Sequence, residues 1–439
     1  MFKIMHHICC GIDVHKKFVV ATIVKTTNTG VAAYDTKRFG TFNDELNQLK
    51  DWLIENGCFE VCMESTGKYW IPIFNILEDK IAITLANPKY VKALKGKKTD
   101  VKDSIWIADL HRHGLVPGSY IPPQNVRMLR DICRYRTKLV SNRTSEKNRV
   151  QNSLTMSNIA ISSVLSDTFG KTAQRIITYL LICDVFDIEY CKSLIDGRIK
   201  ADPDEIIRSI LGYNLTIDQA VKIKFANKHF DFLEQSLEDL DGEINRLSDP
   251  FAHQIQLLST IPGVTLDSAT YIISEIGVDM DVFNSSKHLC SWAGLVPQNN
   301  ESAGKKKSVK ISRAGVYIKP LLVQCANAAI KSTKNPYFRD KYFKIKQRRG
   351  HKKAIIAVAR MILTCVYHML ANNENFSPVD RIDPNSVKNQ KPTKKQLQFA
   401  IRLLECNGFS VSPDQNSDQS VDEVPLTQSV DEVSLTDSS

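Results

Sequence analysis

Residues 8–25 read ICCGIDVHKKFVVATIVK: Ile8-Cys9-Cys10-Gly11-Ile12-Asp13-Val14, then His15-Lys16-Lys17, then Phe18 to Lys25. Two β-rich runs, 8–14 and 18–25, flank a short basic hinge, and one carboxylate, Asp13, interrupts the first run. An unpaired carboxylate inside an apolar strand is costly, so Asp13 needs a reason to be there. Working outward, 31–39 is a weaker third strand, and 42–56 carries Leu46, Leu49, Trp52 and Leu53 at helical spacing before Gly57. Residues 58–63 read as a strand, 68–79 as a helix, 81–86 as a strand, and 100–113 as a helix closed by Gly114.

Three strands, a helix, a strand, a helix, a strand and further helices is the order of an RNase H-like domain, a mixed sheet with helices on its faces, although other α/β folds begin similarly. Such a sheet would gather four acids: Asp13 in the first strand, Glu64 at the end of 58–63, and Asp100 and Asp103 at i, i+3 on one helix face. Clustered carboxylates repel unless a cation neutralises them, and hard oxygen ligands favour Mg²⁺ or Mn²⁺. Two such ions could clamp the attacking and leaving oxygens of a phosphodiester. Each acid also has a plain reading. Asp100 serves as an N-cap with Asp103 at N3, and Glu64 as a solvated strand end.

The chain is 439 residues long, 43% hydrophobic and 24% charged, as expected of two or three folded domains. Its formal charge of +10 hides an asymmetry, since seven acids and no Lys or Arg follow Val411, leaving about +17 on the rest. A body so basic points to a polyanion, nucleic acid or a membrane surface. Eight basic residues crowd the helical stretch 126–154: Arg127, Arg130, Arg134, Arg136, Lys138, Arg143, Lys147 and Arg149. They read either as a solvated helix face or as phosphate contacts. Phe230, Leu233, Leu237, Leu240, Ile244 and Leu247 form an a/d seam that pairs with 126–154, with a second subunit, or with both.

Residues 257–277, with Pro262-Gly263 at the turn, resemble a helix-hairpin-helix, the alternative being an ordinary αα-hairpin. Basic residues recur through 305–353, including Lys305, Lys306, Lys307, Lys310, Arg313, Arg348, Arg349, Lys352 and Lys353. The nonapeptide QSVDEVPLT at 419–427 is repeated as QSVDEVSLT at 428–436, an acidic segment without aromatics that is expected to be disordered. Residues 354–370 are apolar but interrupted by Arg360 and His368, so they read as a buried helix and not a membrane span, and no secretory signal is evident at the N-terminus. The eleven cysteines lack zinc-ligand spacing and are expected to be reduced and mostly buried.

GIDVHK, MESTG, KTDVKDS, and far downstream IPGV, AGLVP and NNESAGK, together resemble the DEDD-type insertion-sequence transposases of the IS110 family over roughly residues 8–370. The resemblance implies a RuvC-like domain whose metal-binding carboxylates are Asp13, Glu64, Asp100 and Asp103, and a catalytic serine at Ser302. It also implies donor and target DNA joined through a noncoding bridge RNA, and an active site composed from different subunits. Ser104 stands where Ala is frequent in that family, and Ala303-Gly304 where Gly-Gly is common.

The expected organisation is a RuvC-like domain at 1–122, a helical coiled-coil region at 123–250, and a helical transposase domain at 251–375. A basic segment at 376–411 and the acidic tail at 412–439 follow. The expected function is Mg²⁺- or Mn²⁺-dependent DNA recombination through Ser302, in a cytoplasmic, nucleoid-associated homodimer or homotetramer with no membrane. Arg127, Arg130, Arg134, Arg136, Arg143, Lys305, Lys306, Lys307 and Arg313 are the expected nucleic-acid contacts. The competing readings are a RuvC-like nuclease or resolvase with water as nucleophile, and a non-catalytic nucleic-acid scaffold.

Overall fold

The computed structural model describes residues 3–91, 99–297, 300–302, 305–308, 310–333 and 335–377. The basic segment expected at 376–411 lies almost wholly, and the acidic tail entirely, outside them. Five strands, β1 (Ile8–Val14), β2 (Phe18–Thr26), β3 (Ala32–Gly40), β4 (Glu60–Glu64) and β5 (Ala82–Ala86), form one sheet in the order β3-β2-β1-β4-β5. The β1–β2 and β2–β3 pairs are antiparallel, and β1–β4 and β4–β5 are parallel. Central strands covered on both faces need near-continuous apolar sequence, which is why β1 and β2 read so strongly.

One face of the sheet packs Cys10, Ile12, Val14, Val61 and Met63 into a core with α1 (Asn43–Glu55) and α2 (Trp70–Leu77). After the short α3 (Pro88–Val91), the other face receives α4 (Asp100–Arg112). The approach of α4 is close because Gly11 has no side chain: a Cβ there would lie 2.3 Å from both Ala108 N and Ser104 O. Beside this contact the buried Thr22 hydroxyl hydrogen-bonds with Ser104 Oγ (2.7 Å) and Thr36 Oγ1 (2.8 Å). Ser104 is thereby a satisfied buried hydroxyl that ties α4 to β2.

The chain then becomes helical: α5 (Gln124–Met156), α6 (Lys171–Leu180), α7 (Ile188–Ser193), α8 (Pro203–Arg208) and α9 (Ile217–Ser248). The seam of α9 packs on α5 of the same chain, with Leu233 and Leu237 against Leu139. Arg136 pairs with Asp241, Arg143 with Glu234 and Glu146 with His229, so the two helices run antiparallel. Between them α6, α7 and α8 pack Ile176, Ile177, Ile206 and the following Ile210 into a second core with Val150 and Leu154 of α5 and Ile223 of α9, which the heptad spacing does not announce.

The last part comprises α10 (Ala252–Ser259), α11 (Leu266–Ile276), α12 (Ser286–Trp292), a hairpin of β6 (Asn300–Ser302) and β7 (Lys305–Ser308), α13 (Ile318–Ala329), α14 (Tyr337–Arg349) and α15 (His351–Asn372). The hairpin interrupts a stretch whose sequence reads as helical. The α10–α11 turn carries Gly263, where a Cβ would lie 2.4 Å from Ala329 N, so this glycine admits α13 into the core. Helix α15 is long and apolar enough to cross a membrane by length and composition. It buries Ala354, Ile355, Val358, Ile362, Leu363 and Val366 in the C-terminal core. The ten described cysteines are free thiols, eight of them buried.

Candidate active site

Asp13 lies near the C-terminal end of β1, and β4 runs parallel beside it with Ile12 opposite Met63, so Glu64 falls next to Asp13 on the neighbouring strand. Side chains alternate along a strand, and Gly11 meets α4, so Asp13 and Glu64 share the α4 face of the sheet. The N-cap of α4 is Thr99, whose side chain accepts from Lys102 N at 3.3 Å. This corrects the plain reading in which Asp100 is the cap and Asp103 sits at N3. The cap position is already filled, and both aspartates lie in the first turn, where the helix dipole favours them.

His15 joins the group, and sequence reasoning gave it no role. Its Nε2 lies 3.0 Å from Asp13 Oδ2 and 3.4 Å from Asp100 Oδ1, bridging the sheet and the helix. The hydrogen bond is to Asp13, whose carboxylate accepts the Nε2 proton, and the Asp100 contact is an ion-pair approach. The signal was in GIDVHK, because period-two spacing puts His15 on the same side as Asp13. Asp13 is 8% exposed. Burial pushes its carboxyl above the usual range, His15 opposes that, and Asp103 and then Asp100 add to it. Glu64 is half-buried and accepts from Thr66 Oγ1 at 3.3 Å.

Ser302 ends β6 and stands opposite Lys305 in the hairpin register. The base of the hairpin is fixed by a bridge between Pro297 and Ile311 and by two glycines. Gly294, in the AGLVP motif, and Gly315 both have positive φ, and their backbones cross so closely that a Cβ on Gly315 would lie 2.1 Å from Ala293 O. Residues Ala314 to Tyr317 then line a cleft of about 760 Å³ together with Asn87, Tyr120, His288 and Trp292. Asn87 follows Ala86, the register partner of Glu64, so this cleft opens beside the carboxylate end of the sheet.

The arginines of α5 are engaged in ion pairs and hydrogen bonds within the chain. Arg127 donates to both Glu78 oxygens (3.0 and 2.6 Å). Arg130 donates to Ser274 O and Glu275 O (2.9 and 2.5 Å) at the C-terminal end of α11. Arg134 forms a fork with the buried Glu275 (2.7 and 2.8 Å), Arg136 pairs with Asp241, and Arg143 donates to Glu234 at 2.7 Å. Bidentate guanidinium–carboxylate pairs neutralise the charge that a phosphate would otherwise meet. Arg313 is exposed.

Residues 10–159 match the DEDD-type IS110 family profile described as "Transposase", and residues 255–343 match "Transposase IS116/IS110/IS902 family". The chain is 24% identical over 329 residues to the transposase for insertion sequence element IS1111A of Coxiella burnetii, covering 73% of this chain and 79% of that one. It is also 30% identical over 154 residues to the pilin gene-inverting protein of Moraxella bovis, covering 32% of this chain and 45% of the relative. The corresponding protein of Moraxella lacunata is 29% identical over the same length. The chain thus spans less than half the length of the two gene-inverting proteins.

Proposed function

This chain belongs to the IS110 family of transposases, and from that premise we propose that it cuts DNA strands at the ends of a mobile segment and rejoins them in a new pairing. The observation that carries the reading is the grouping of Asp13 and Asp100 about one His15 nitrogen, on the sheet face that also bears Glu64. The donor set fits a hard divalent cation: two carboxylates that approach the same imidazole nitrogen leave a place for a charge that would neutralise both. Asp13, Glu64, Asp100 and Asp103 would hold Mg²⁺ or Mn²⁺, which when bound supplies Lewis-acid stabilisation of charge on a phosphate oxygen.

In this proposal Ser302 is the nucleophile. Its Oγ bonds to a DNA phosphorus, the Oγ proton passes to a base, and the P–O3′ bond breaks as the 3′ oxygen takes up a proton. The resulting phosphoserine conserves the phosphodiester energy, so strands rejoin without a nucleotide cofactor. Lys305, opposite Ser302 in register, and Lys306 and Lys307 beyond it provide positive charge along the hairpin. Donor and target DNA are selected by a noncoding bridge RNA that pairs with both. Two or four copies of the chain assemble, so that the carboxylates of one meet the serine of another. The same exchange between inverted sites would turn a segment around, the activity named for the Moraxella relatives.

The test is a cleavage reaction with labelled DNA, its cognate RNA and Mg²⁺, stopped in denaturant and run on a gel. The proposal expects a protein–DNA adduct that disappears in Ser302→Ala, and both cleavage and adduct lost in Asp13→Asn with DNA binding retained. Cleavage without an adduct that survives Ser302→Ala would assign the reaction to a metal-dependent nuclease using water. Full strand exchange by Asp13→Asn would leave the carboxylates a structural role only.

A further inference from the structure

A second group of potential ligands lies at the other end of the same strands and helix. His6 precedes β1, Glu60 opens β4, and His111 is in the last turn of α4. One donor atom from each of the three lies within 4.8 Å of the others. His6 Nδ1 is 3.8 Å from Glu60 Oε2, and the two imidazoles stack with centroids 4.4 Å apart and planes 17° from parallel. His111 is 3% exposed, and its Nε2 is buried without a hydrogen-bond partner. A buried polar nitrogen left unsatisfied costs about 1–3 kcal/mol, so the fold holds an imidazole here at a loss unless something completes it.

We propose that His6, Glu60 and His111 form a zinc site that fastens the N-terminal segment to β4 and α4. Two imidazoles and one carboxylate make the mixed N/O set that Zn²⁺ binds at about 2.0–2.2 Å, whereas Mg²⁺ demands oxygen. A tetrahedral ion requires donors roughly 3.3 Å apart, so the His6–Glu60 pair must close by about 0.5 Å and no pair by more than about 1.5 Å. The side chains that would move are the accessible ones, with His6 28% and Glu60 42% exposed, while His111 stays fixed in the core. The backbone is already docked for this, since Met5 N and His6 N donate to Arg112 O at 2.8 and 3.2 Å. Solvent reaches the Glu60 side and supplies a fourth ligand. Along α4 the site stands on the order of 12 Å from Asp103, at 1.5 Å per residue, so it is separate from the DNA-cutting carboxylates.

Full-length protein stripped of metal is titrated with Co²⁺, an optical probe for zinc sites, and with Zn²⁺ by calorimetry, with millimolar Mg²⁺ present throughout to occupy the carboxylate site. The expected result is one equivalent of Co²⁺ with the intense visible bands of low coordination, displaced by one equivalent of Zn²⁺. His6→Ala and Glu60→Gln, both partly exposed, should each weaken Zn²⁺ binding at least about tenfold and abolish the rise in Tm that Zn²⁺ gives the unsubstituted protein. Asp13→Asn should change neither. The proposal is overturned if the unsubstituted protein shows no such bands, if both variants bind Zn²⁺ as well as it does, or if binding is lost in Asp13→Asn alone.

Discussion

Replacing Gly11 with Ala adds one methyl group at the point where β1 and α4 touch, and the structure fixes what that methyl meets. It would lie 2.3 Å from Ala108 N and from Ser104 O, and 2.8 Å from Ala108 Cα, against an ordinary contact of 3.4–4 Å. All three are backbone atoms, so no rotamer change on α4 relieves the clash, and the helix must retreat by about 1 Å. Overpacking of this kind costs about 1–3 kcal/mol, and the Thr22–Ser104 hydrogen bond is stretched by the same movement. The retreat also draws Asp100 and Asp103 away from Asp13. A misplacement of about 1 Å in a catalytic group costs roughly a hundredfold in rate. Gly11→Ala should therefore lose about 1–3 kcal/mol in urea denaturation, and the proposed Mg²⁺-dependent DNA cleavage should fall by about two orders of magnitude under conditions where the variant is still folded. Adding Ser104→Ala should restore neither, because the obstruction is main chain. A folded Gly11→Ala that cleaves at the original rate would refute the claim that this close approach sets the carboxylate geometry.

Three further outcomes follow from particular contacts. Arg134→Ala leaves the Glu275 carboxylate, 5% exposed, without its fork, because Arg130 donates to carbonyls and not to it. The variant should lose about 3–5 kcal/mol in chemical denaturation while the salt dependence of DNA binding is unchanged. Gly242 lies exposed within α9, and a Cβ added there would meet nothing within 4 Å, so Gly242→Ala should stabilise the protein by about 0.5–1 kcal/mol, read as a higher urea midpoint. Lys352 and Lys353 are exposed in the first turn of α15, where the helix dipole disfavours cations. Replacing both with Ala should raise stability slightly, by up to about 1 kcal/mol. It should also flatten the slope of log affinity for duplex DNA against log salt by about 1.8, if each lysine contacts a phosphate.

The sheet is legible in the sequence because its central strands are buried on both faces, and Asp13 because a carboxylate in such a strand is anomalous. Glu64, Asp100 and Asp103 are legible as strand-end and helix-face acids, but the meeting of Asp13 and Asp100 at His15 depends on a helix packing over a glycine, and no local pattern encodes that packing. Ser302 is legible only through the resemblance, since a three-residue strand leaves no periodicity to read. The charge on α5 misleads for a related reason. Its arginines are weighed against acids nearby in the chain, whereas Asp241 lies 105 residues from Arg136, and Glu275 lies 141 residues from Arg134. With those guanidinium groups paired internally, the positive excess of the body has to sit elsewhere. Lys344, Lys346, Arg348, Arg349, Lys352 and Lys353 are all exposed around the α14–α15 corner. Lysines and arginines there face the end of one helix and the start of the next. The dipole of α14 welcomes them and that of α15 does not, so a bound phosphate would relieve the second without disturbing the first. A polyanion engaging this chain should therefore be drawn to that corner and to the Ser302 hairpin before it reaches α5.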